Sequence, residues 1–425
     1  MKGEKSSWFA AARFGMFIHF GPYAAYGRGE QVLFREHLDQ AEYARAAARW
    51  NPTRYDPDAW AAVAKEAGMR YAVMTSRHHD GYCLWDSKVT DYTSAALAPK
   101  RDLIADYVRA FRKAGLRVGI YYSLADWRVP AYWAGPARDP DGWARFRRYV
   151  HEQIRELLSR YGRIDILWFD GAWPQTAEEW GAAEIMGMAR RLQPDILINN
   201  RLGDPSLGDF GTPEHDFTPE RGRMWESCQV STWRLWGYTI GERWRPADLL
   251  LDFLVQVAST GGNLLLNVGP KPNGELPPQF VHRMAEIGKW MKAHGEAIYG
   301  SERGDVCEFI TYGRQTRRGR NLYLVIRFWD GRETVHLAGL KTRVRSAHLL
   351  TTGELLPFRQ DGDDLYVSGL PKRPPTRLFP VIKLVCAGRP EPVEWARERL
   401  WSGDPNRMTA WAARRGQGVK LDGTW

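Results

Sequence analysis

The chain has 425 residues, of which 44% are hydrophobic and 26% are charged, and this composition excludes an intrinsically disordered protein. The net charge is +10, but Lys and Arg are spread among many acidic residues without a basic block, so we expect no nucleic-acid partner. No run of about 20 apolar residues exists and the first residues lack an apolar signal core. We therefore predict no membrane partner and a cytoplasmic location.

The first 300 or so residues alternate amphipathic helices with short apolar strands. Residues 56–75 show the pattern, because Asp56 can cap a helix, Pro57 suits its first turn, and Gly68 ends it before a strand. Strands that are apolar on both faces indicate a parallel sheet covered by helices. We predict such strands at residues 14–21, 71–75, 118–122, 164–169, 196–199 and 263–268.

The order of these elements indicates an α/β fold with a barrel. No GxGxxG turn follows the first strand and no GxSxG occurs at a strand end, which argues against dinucleotide-binding and α/β-hydrolase folds. We predict a catalytic (β/α)8-like barrel over residues 1–302, and only six assignable strands make an irregular barrel acceptable. Short alternating strands then predict a small C-terminal β-sandwich over residues 303–388, followed by a tail at 389–425 with one short helix.

Polar side chains stand where the predicted barrel strands end, and in a barrel these ends build the active site. Asp170 directly follows the apolar strand "ILWF". A carboxylate at that position is either a buried structural acceptor or a catalytic group. The other polar residues at strand ends are His19, His78, His79, Tyr121, Tyr122, Asn200 and Arg201.

A metal site is the first alternative for these histidines. His19, His78, His79 and Asp170 could in principle ligate zinc, but the chain has neither an HxH pair nor an HExxH motif. Adjacent strand residues point to opposite faces, so His78 and His79 can share one ligand only if the strand ends or bends at His78. We therefore predict no metal. The cysteines lack zinc-ligand spacing and are expected to be buried thiols: Cys83, Cys228, Cys307 and Cys386.

Glycoside chemistry needs a second carboxylate, because one group attacks or stabilises the sugar while the other protonates the leaving oxygen. A loop rich in glycine and proline follows the strand at residues 196–199 and supplies candidates. Most of these acids are expected to be solvated surface groups. They are Asp209, Glu214, Asp216, Glu220 and Glu226.

An ordered set of motifs resembles glycoside hydrolase family 29, the α-L-fucosidases. The similarity runs from about Trp8 to Gly300, and the small β domain is similar to the family's C-terminal sandwich. The ordered set is specific, although no single motif decides the matter. The motifs are "FGMFIHFGPY", "HHDGYCLWDS", "GIYYSLADW", "LWFDGAW", "GDFGTPEH", "WESC", "GGNLLLNVGP" and "KWMKAHGEAIYG".

The resemblance implies a retaining, exo-acting α-L-fucosidase that needs no cofactor and acts on fucosylated oligosaccharides or glycoconjugates. Asp170 corresponds to the family's nucleophile, which forms a covalent fucosyl-aspartate. The acid/base corresponds to Glu214, with Glu226 as the second candidate. Trp236 is an aromatic face that can pack on the methyl group of fucose. The family's sugar contacts, with histidine, tryptophan and arginine N–H groups as donors, correspond to His19, Glu30, His78, His79, Tyr121, Trp168 and Arg201.

Two positions depart from the family pattern. The family commonly has tryptophan where this chain has Phe20 and Gln31, and the loss beside Glu30 puts one sugar contact in doubt. The sequence around residues 30–43 is similar to the branch restricted to 1,3- or 1,4-linked branched fucosides. A metal-dependent barrel hydrolase and a fucose-binding protein without turnover stay open as alternatives, as does a homo-oligomeric state.

Overall fold

The computed structural model describes residues 2–220, 222–304 and 310–393. The chain forms two compact units, Met1–Val257 with Gly261–Lys292 and Ala258–Thr260 with Ala293–Trp425. The predicted α/β barrel and the predicted C-terminal antiparallel sheets are both confirmed. The helix predicted in the tail and Cys307 lie outside the described residues, and the three described cysteines are buried free thiols.

The first unit contains a barrel of eight parallel strands in the order β5-β4-β3-β2-β1-β8-β7-β6. The barrel is nearly closed, because the edge strands β5 and β6 meet through the residue pair Asn199–Phe210. The Asp209 N–H also donates to the Ile198 carbonyl at 2.7 Å. The strands are β1 Phe14–Ile18, β2 Tyr71–Arg77, β3 Arg117–Ser123, β4 Ile166–Asp170, β5 Leu197–Ile198, β6 Phe210–Gly211, β7 Met224–Val230 and β8 Asn263–Val268.

Helices cover the outside of the barrel, and side-chain caps start several of them, including the cap predicted at Asp56. Asp56, for example, accepts a hydrogen bond from the Ala59 N–H at 3.0 Å. In the described parts of the chain, no helix lies between β5 and β6 or between β6 and β7, so the barrel is irregular there. The α-helices are α1 Lys2–Ala12, α2 Val32–Arg35, α3 Gln40–Arg49, α4 Pro57–Glu66, α5 Leu103–Lys113, α6 Pro130–Arg138, α7 Pro140–Arg160, α8 Ala177–Trp180, α9 Ala182–Leu192, α10 Ala247–Ser259 and α11 Pro278–His294, with 3₁₀ helices at Pro22–Tyr26 and Gly295–Ala297.

Strand β2 ends in an irregular step that positions the two histidines. Its register with β3 shifts between Thr75 and Arg77, and the strand stops at Arg77. The strand therefore ends directly before His78, which is the condition for the His78 and His79 side chains to reach one ligand. Arg77 is fully buried, and its guanidinium donates to the carbonyls of residues 123–125 at 2.7, 3.4 and 3.3 Å, so it ties the end of β2 to the end of β3. Within the described residues, we find no helix that combines the length and apolar character needed to cross a membrane.

The second unit contains two antiparallel sheets, one with the strand order β14-β13-β17-β11-β10-β9 and one with the order β12-β16-β15. Alternating apolar residues of both sheets, such as Leu322 and Leu324 in β11 and Val335 and Leu337 in β12, share one core. The strands are β9 Glu302–Arg303, β10 Gly313–Arg318, β11 Asn321–Ile326, β12 Thr334–Ala338, β13 Val344–Leu349, β14 Glu354–Leu356, β15 Phe358–Asp361, β16 Asp364–Ser368 and β17 Val381–Cys386.

Candidate active site

A cavity of about 310 Å³ opens at the carboxyl ends of the barrel strands. This is the face on which barrel enzymes carry their active sites, and the volume suits a small ligand. The structure brings most of the predicted site residues together here. Those lining the cavity are His19, His78, His79, Tyr121, Trp168, Asp170, Arg201, Glu214 and Trp236, joined by Phe17, Gln31, Trp173 and Cys228.

Asp170 is the last residue of β4 and its side chain is 19% exposed in the cavity. The Tyr121 hydroxyl donates to Asp170 Oδ2 at 2.9 Å, and Arg201 Nη1 lies 3.3 Å from Oδ1. Burial pushes the pKa of Asp170 upward, but the positive charge of Arg201 and the hydrogen bond from the Tyr121 hydroxyl outweigh this effect, so the pKa lies below its usual value. Asp170 is therefore ionised at neutral pH.

The residue after the carboxylate fixes its orientation. Gly171 has a φ of +70°, a conformation that side chains with a Cβ rarely adopt. A Cβ at this position would also lie 2.9 Å from Ser123 Oγ and 3.0 Å from the Ala125 Cβ. The Asp-Gly pair therefore ends the strand with a sharp turn that leaves the Asp170 carboxylate on the cavity side.

Arg201 joins the two carboxylates of the cavity. Its Nη1 donates to Glu214 Oε2 at 2.8 Å and to Asp170 Oδ1 at 3.3 Å. Thr212 holds the same guanidinium through its hydroxyl at 3.0 Å and its carbonyl at 2.9 Å, and the guanidinium lies 4.8 Å over the Trp168 ring. The Glu214 side chain is 42% exposed and the Asp170 side chain 19%, so Glu214 is the more solvent-exposed partner of this shared cation.

The hydrogen-bond network assigns the tautomer of His19. Asn267 Nδ2 donates to the Trp236 carbonyl at 2.7 Å, so its Oδ1 is the atom 2.7 Å from His19 Nδ1. Because Oδ1 can only accept, Nδ1 of His19 carries the proton. Burial lowers the pKa of His19 to about 3, which keeps the ring neutral. The remaining nitrogen, Nε2, is an acceptor.

The same reasoning applies to His79. The Ser123 hydroxyl donates to the Ala125 carbonyl at 2.9 Å and therefore accepts from His79 Nδ1 at 2.7 Å. Burial lowers the pKa of His79 to about 4, although the Asp170 charge opposes this shift. His79 Nε2 is then an unprotonated acceptor, 3.8 Å from Asp170 Oδ2. A donor group of a ligand is needed between these two acceptors.

His78 has the opposite arrangement. Its Nδ1 is buried and has no hydrogen-bond partner, while the ring is stacked on Tyr121 at 5.7 Å with an interplanar angle of 8°. Burial lowers the pKa of His78 well below its usual value, so the ring is neutral. A buried N–H without a partner is rarer in proteins than an unpaired acceptor, which places the single proton on Nε2. The three histidines thus provide two acceptors and one donor.

Glu226 does not reach the cavity, because it lies inside the barrel on β7 and is fully buried. The Tyr71 hydroxyl donates to one of its oxygens and the Trp168 indole N–H donates to the other at 3.1 Å. Burial raises the pKa of Glu226 to about 7, against the effect of both hydrogen bonds and of Arg201. Because its N–H is used here, Trp168 presents its ring to the cavity and not the donor that the sequence predicted.

Glu30 also supports the cavity and does not line it. It is 2% exposed, and its Oε2 accepts from the backbone N–H groups of Trp236 and Gly237 at 3.0 and 2.8 Å. The Trp236 ring in turn lies 5.2 Å from the His19 ring. Glu30 thus holds the loop that carries Trp236, and its neighbour Gln31 is the residue that faces the cavity.

The remaining acids of the predicted loop make local contacts elsewhere. Asp209 pairs with Arg190, Asp216 accepts a hydrogen bond from the Thr218 N–H, and Glu220 pairs with Arg223. Sequence reasoning missed four lining residues, of which two had a visible signal: Trp173 follows Asp170 in the strand-end loop, and Gln31 follows Glu30. Phe17 and Cys228 had none, because each looks like an ordinary buried apolar residue. The four are Phe17, Gln31, Trp173 and Cys228.

The described residues contain no group of three or more His, Cys, Asp or Glu side chains arranged to hold a metal ion. The cavity histidines instead use their Nδ1 atoms for the contacts described above or leave them buried. The site is therefore an ionised carboxylate, an exposed glutamate, a shared arginine and three neutral imidazoles inside an aromatic wall, which fits a ligand with many hydroxyl groups.

Comparison with known proteins agrees with this chemistry. The family model described as alpha-L-fucosidase matches residues 2–296. Tissue alpha-L-fucosidase of Bos taurus is 30% identical over 76% of this chain and 75% of its own length. The structure of alpha-L-fucosidase isoenzyme 1 from Paenibacillus thiaminolyticus has a TM-score of 0.84 and 38% identity, covering 90% of this chain and 99% of that one.

A further similar structure is a family 29 alpha-L-fucosidase from Bacteroides thetaiotaomicron, a trapped covalent intermediate in complex with 2-fluoro-fucosyl fluoride. It has a TM-score of 0.83 and 30% identity, covering 90% of this chain and 96% of that one. The family match, the barrel and the cavity chemistry agree. The chain belongs to the α-L-fucosidase family, glycoside hydrolase family 29, and is a glycoside hydrolase.

Proposed function

We propose that this protein is a retaining, exo-acting α-L-fucosidase that removes terminal fucose from fucosylated oligosaccharides or glycoconjugates. The supporting observation is the contact of Arg201 Nη1 with both Asp170 and Glu214. The two distances sum to about 6 Å, an upper limit on the separation of the contacting oxygens, whereas retaining enzymes hold their carboxyls about 5–5.5 Å apart and inverting enzymes about 6.5–9.5 Å.

In the first step, Asp170 attacks the anomeric carbon of fucose. A carbon–oxygen bond forms to the aspartate, the bond to the leaving oxygen breaks, and Glu214 transfers its proton to that oxygen. The lowered pKa of Asp170 keeps the nucleophile ionised. The trapped intermediate of the Bacteroides relative supports a covalent step of this kind.

As the acid of the first step, Glu214 must face the glycosidic oxygen, whereas here its carboxylate contacts Arg201. We infer that the entering substrate turns the exposed Glu214 away from Arg201 and toward the glycosidic oxygen. Once that contact is lost, the Glu214 carboxyl can give its proton to the leaving oxygen. After Asp170 has become an ester, the same group acts as the base of the second step.

In the second step, a water molecule gives its proton to Glu214 and attacks the anomeric carbon. The bond to Asp170 breaks, which regenerates the carboxylate and releases fucose with its original configuration. Arg201 compensates the charge that returns to Asp170, and the Tyr121 hydroxyl stabilises it by a hydrogen bond.

The tautomers of the three cavity histidines determine which ring nitrogens can donate to, or accept from, the hydroxyl groups of fucose. The Nε2 atoms of His19 and His79 accept from sugar hydroxyls, and His78 Nε2 and Arg201 donate to them. A buried group left without its partner costs about 1–3 kcal/mol, so a sugar that lacks one hydroxyl is discriminated by roughly that amount. The Trp236 ring offers an apolar surface to the fucose methyl group.

The test combines product stereochemistry with two carboxylate variants. NMR of the first product in deuterated water should show α-fucose, and β-fucose would refute retention. Asp170→Ala should abolish hydrolysis of an aryl fucoside without loss of fold. Glu214→Gln should impair a fucosylated oligosaccharide more than an activated aryl fucoside, whereas Asp216→Asn, an exposed acid of the same loop, should affect neither. Fucose binding without turnover would instead identify a binding protein.

A substrate panel tests the linkage. The resemblance of residues 30–43 to the branch specific for branched fucosides leads us to propose 1,3- and 1,4-linked fucose as the substrate. Fucosyl disaccharides that differ only in linkage should then differ in kcat/KM, with 1,2- and 1,6-linked compounds the poorest. Equal rates for all linkages would refute this part of the proposal and leave the fucosidase activity itself untouched.

A further inference from the structure

Arg77 is a fully buried charge that the proposed mechanism does not use. It is the last residue of β2, directly before the two adjacent cavity histidines, and its side chain is 0% exposed. Because taking a charge out of water is costly, proteins bury an arginine only where it is paired and hydrogen-bonded. The role of Arg77 must therefore lie in the groups that it holds.

Three consecutive carbonyl groups converge on one end of its guanidinium. Arg77 Nη2 donates to the carbonyls of residues 123–125 at 2.7, 3.4 and 3.3 Å. Its Nη1 donates to Gln153 Oε1 at 2.7 Å, and the guanidinium lies 4.5 Å over the Tyr122 ring. The charge therefore holds the chain after β3 in a bend and ties this bend to α7, which carries Gln153.

The counter-charge of Arg77 comes from the same segment. Asp126 is fully buried, and its Oδ2 lies 3.8 Å from Arg77 Nη1 and 2.7 Å from Arg128 Nη2. Burial pushes the pKa of Asp126 upward, but the positive charges of Arg128 and Arg77 outweigh this effect, so the pKa lies below its usual value. Asp126 is therefore ionised and balances the Arg77 charge inside the protein.

Residues 123–127, which we call the β3 bracket, hold His79 from two sides. The Ser123 hydroxyl accepts from His79 Nδ1 at 2.7 Å. The Trp127 N–H donates to the His79 carbonyl at 2.8 Å. These contacts fix both the backbone and the ring of His79, and with them the place of its Nε2 in the cavity.

The β3 bracket also holds the proposed nucleophile. The Leu124 N–H donates to the Asp170 carbonyl at 2.8 Å. A Cβ on Gly171 would lie 3.1 Å from the Ala125 nitrogen, so the turn after the nucleophile packs closely against the bracket. A shift of the bracket would therefore move His79 and Asp170 together.

We propose that Arg77 is a positioning residue for fucoside hydrolysis, which holds the β3 bracket so that His79 and Asp170 keep the geometry needed for attack on the anomeric carbon. The inference rests on the proposed function, because it takes Asp170 as the nucleophile. Arg77 does not line the cavity, so it acts only through the bracket. A displacement of about 1 Å at reacting groups can lower a rate about a hundredfold, which sets the scale of the effect.

The first test removes the charge and then restores it. In Arg77→Met, kcat/KM for α-L-fucosyl fluoride should fall about a hundredfold. Arg77→Lys keeps a cation with three donors for the bracket carbonyls and should recover activity to within about tenfold of the wild type. Asp165→Asn is the matched control, since Asp165 is a buried charge paired with Arg117 just before β4, at the opposite end of the strand. It should lower the thermal unfolding temperature and leave kcat/KM unchanged.

A double-mutant cycle shows whether Arg77 acts through the bracket. Ser123→Ala already removes the acceptor of the His79 N–H. In that background Arg77→Met should cost a smaller factor in kcat/KM than in the wild type, by about tenfold or more. In the Asp165→Asn background the factor should be the same as in the wild type, because distant sites act additively. A general loss of stability would not distinguish the two backgrounds.

The outcomes separate this inference from the proposed function. Full activity in Arg77→Met, no recovery in Arg77→Lys, or equal losses in all backgrounds overturn the positioning role. If Arg77→Met does not fold, Gln153→Met takes its place: it keeps the buried charge and removes one acceptor, so kcat/KM should fall about threefold to tenfold, and an unchanged value overturns the role. Failure of the wild-type enzyme to hydrolyse α-L-fucosyl fluoride refutes the fucosidase proposal instead.

Discussion

Glu226 provides a quantitative test of the electrostatics inside the barrel. It is fully buried, its two oxygens accept from Tyr71 and Trp168, and burial raises its pKa from 4.5 to about 7. Glu226→Gln removes the titration and keeps the shape. The amide oxygen can still accept from Trp168, and the amide nitrogen can donate to the Tyr71 hydroxyl.

The direction in which stability changes with pH follows from the raised pKa of Glu226. The folded protein binds the Glu226 proton more tightly than the unfolded chain does, so its contribution to stability is complete below pH 4.5 and is lost as the pH rises through 7. A shift of about 2.5 units corresponds to about 3 kcal/mol, of which about 2.5 kcal/mol falls between pH 5 and pH 8. That is a large part of the stability of an ordinary domain.

The assay is urea unfolding of the wild type and of Glu226→Gln at pH 5, 6.5 and 8. The stability of the variant relative to the wild type should rise by about 2.5 kcal/mol from pH 5 to pH 8. If the free energies of unfolding of the wild type and of Glu226→Gln changed with pH in parallel, the pKa of Glu226 would not be raised in the folded protein and the reasoning would be refuted. The same variant should hydrolyse poor and activated fucosides in the wild-type ratio, because Glu226 lies outside the cavity; a leaving-group dependence would transfer the acid/base role from Glu214 to Glu226.

Three further predictions concern the cavity. Ser123→Ala leaves the buried His79 N–H without an acceptor, so kcat/KM should fall by about one to two orders of magnitude. Ser123→Thr keeps the hydroxyl and should restore both kcat/KM and the wild-type pH profile. Trp168→Phe keeps an aromatic ring under Arg201 but removes the N–H donor to Glu226 Oε1. Urea unfolding should therefore show a decrease of about 1–3 kcal/mol in the free energy of unfolding, with a smaller effect on kcat. Exhaustive chelation should leave fucoside hydrolysis unchanged; a loss that added metal restores would favour the metal-dependent alternative.

The fold could be predicted largely from the sequence because long apolar strands and capped helices repeat with a clear period. The two barrel strands that the sequence did not predict are β6 and β7. β6 has only two residues and lies in the glycine-rich segment "GDFGTP", where alternation of polar and apolar residues has no room to show. β7, Met224–Val230, lies in the segment predicted as part of the same loop, and its place in the barrel depends on pairing with β8, which a local pattern does not contain.

The site could be predicted as a set of residues but not as a hydrogen-bond network. The strand-end rule placed His19, His79 and Asp170 on one rim, and the structure brings them together. The roles of their nitrogens depend on partners that are distant in sequence, since His19 contacts Asn267, 248 residues away. An asparagine inside the apolar run "LLLNVG" was the available signal, because a buried amide needs a partner.

The irregular side of the barrel carries Glu214, the proposed acid/base. Asp170 ends a regular strand followed by a tight Asp-Gly turn, and Arg201 is anchored twice by Thr212, so both are fixed. Glu214 follows the two-residue strand β6, and no helix of the described chain packs between β6 and β7. In the proposed mechanism only Glu214 must exchange its partner and its proton. Its side chain is 42% exposed, while the backbone on either side of it is hydrogen-bonded to β7 through His215 and Cys228. The exchange therefore needs only a rotation of the Glu214 side chain and no movement of the loop.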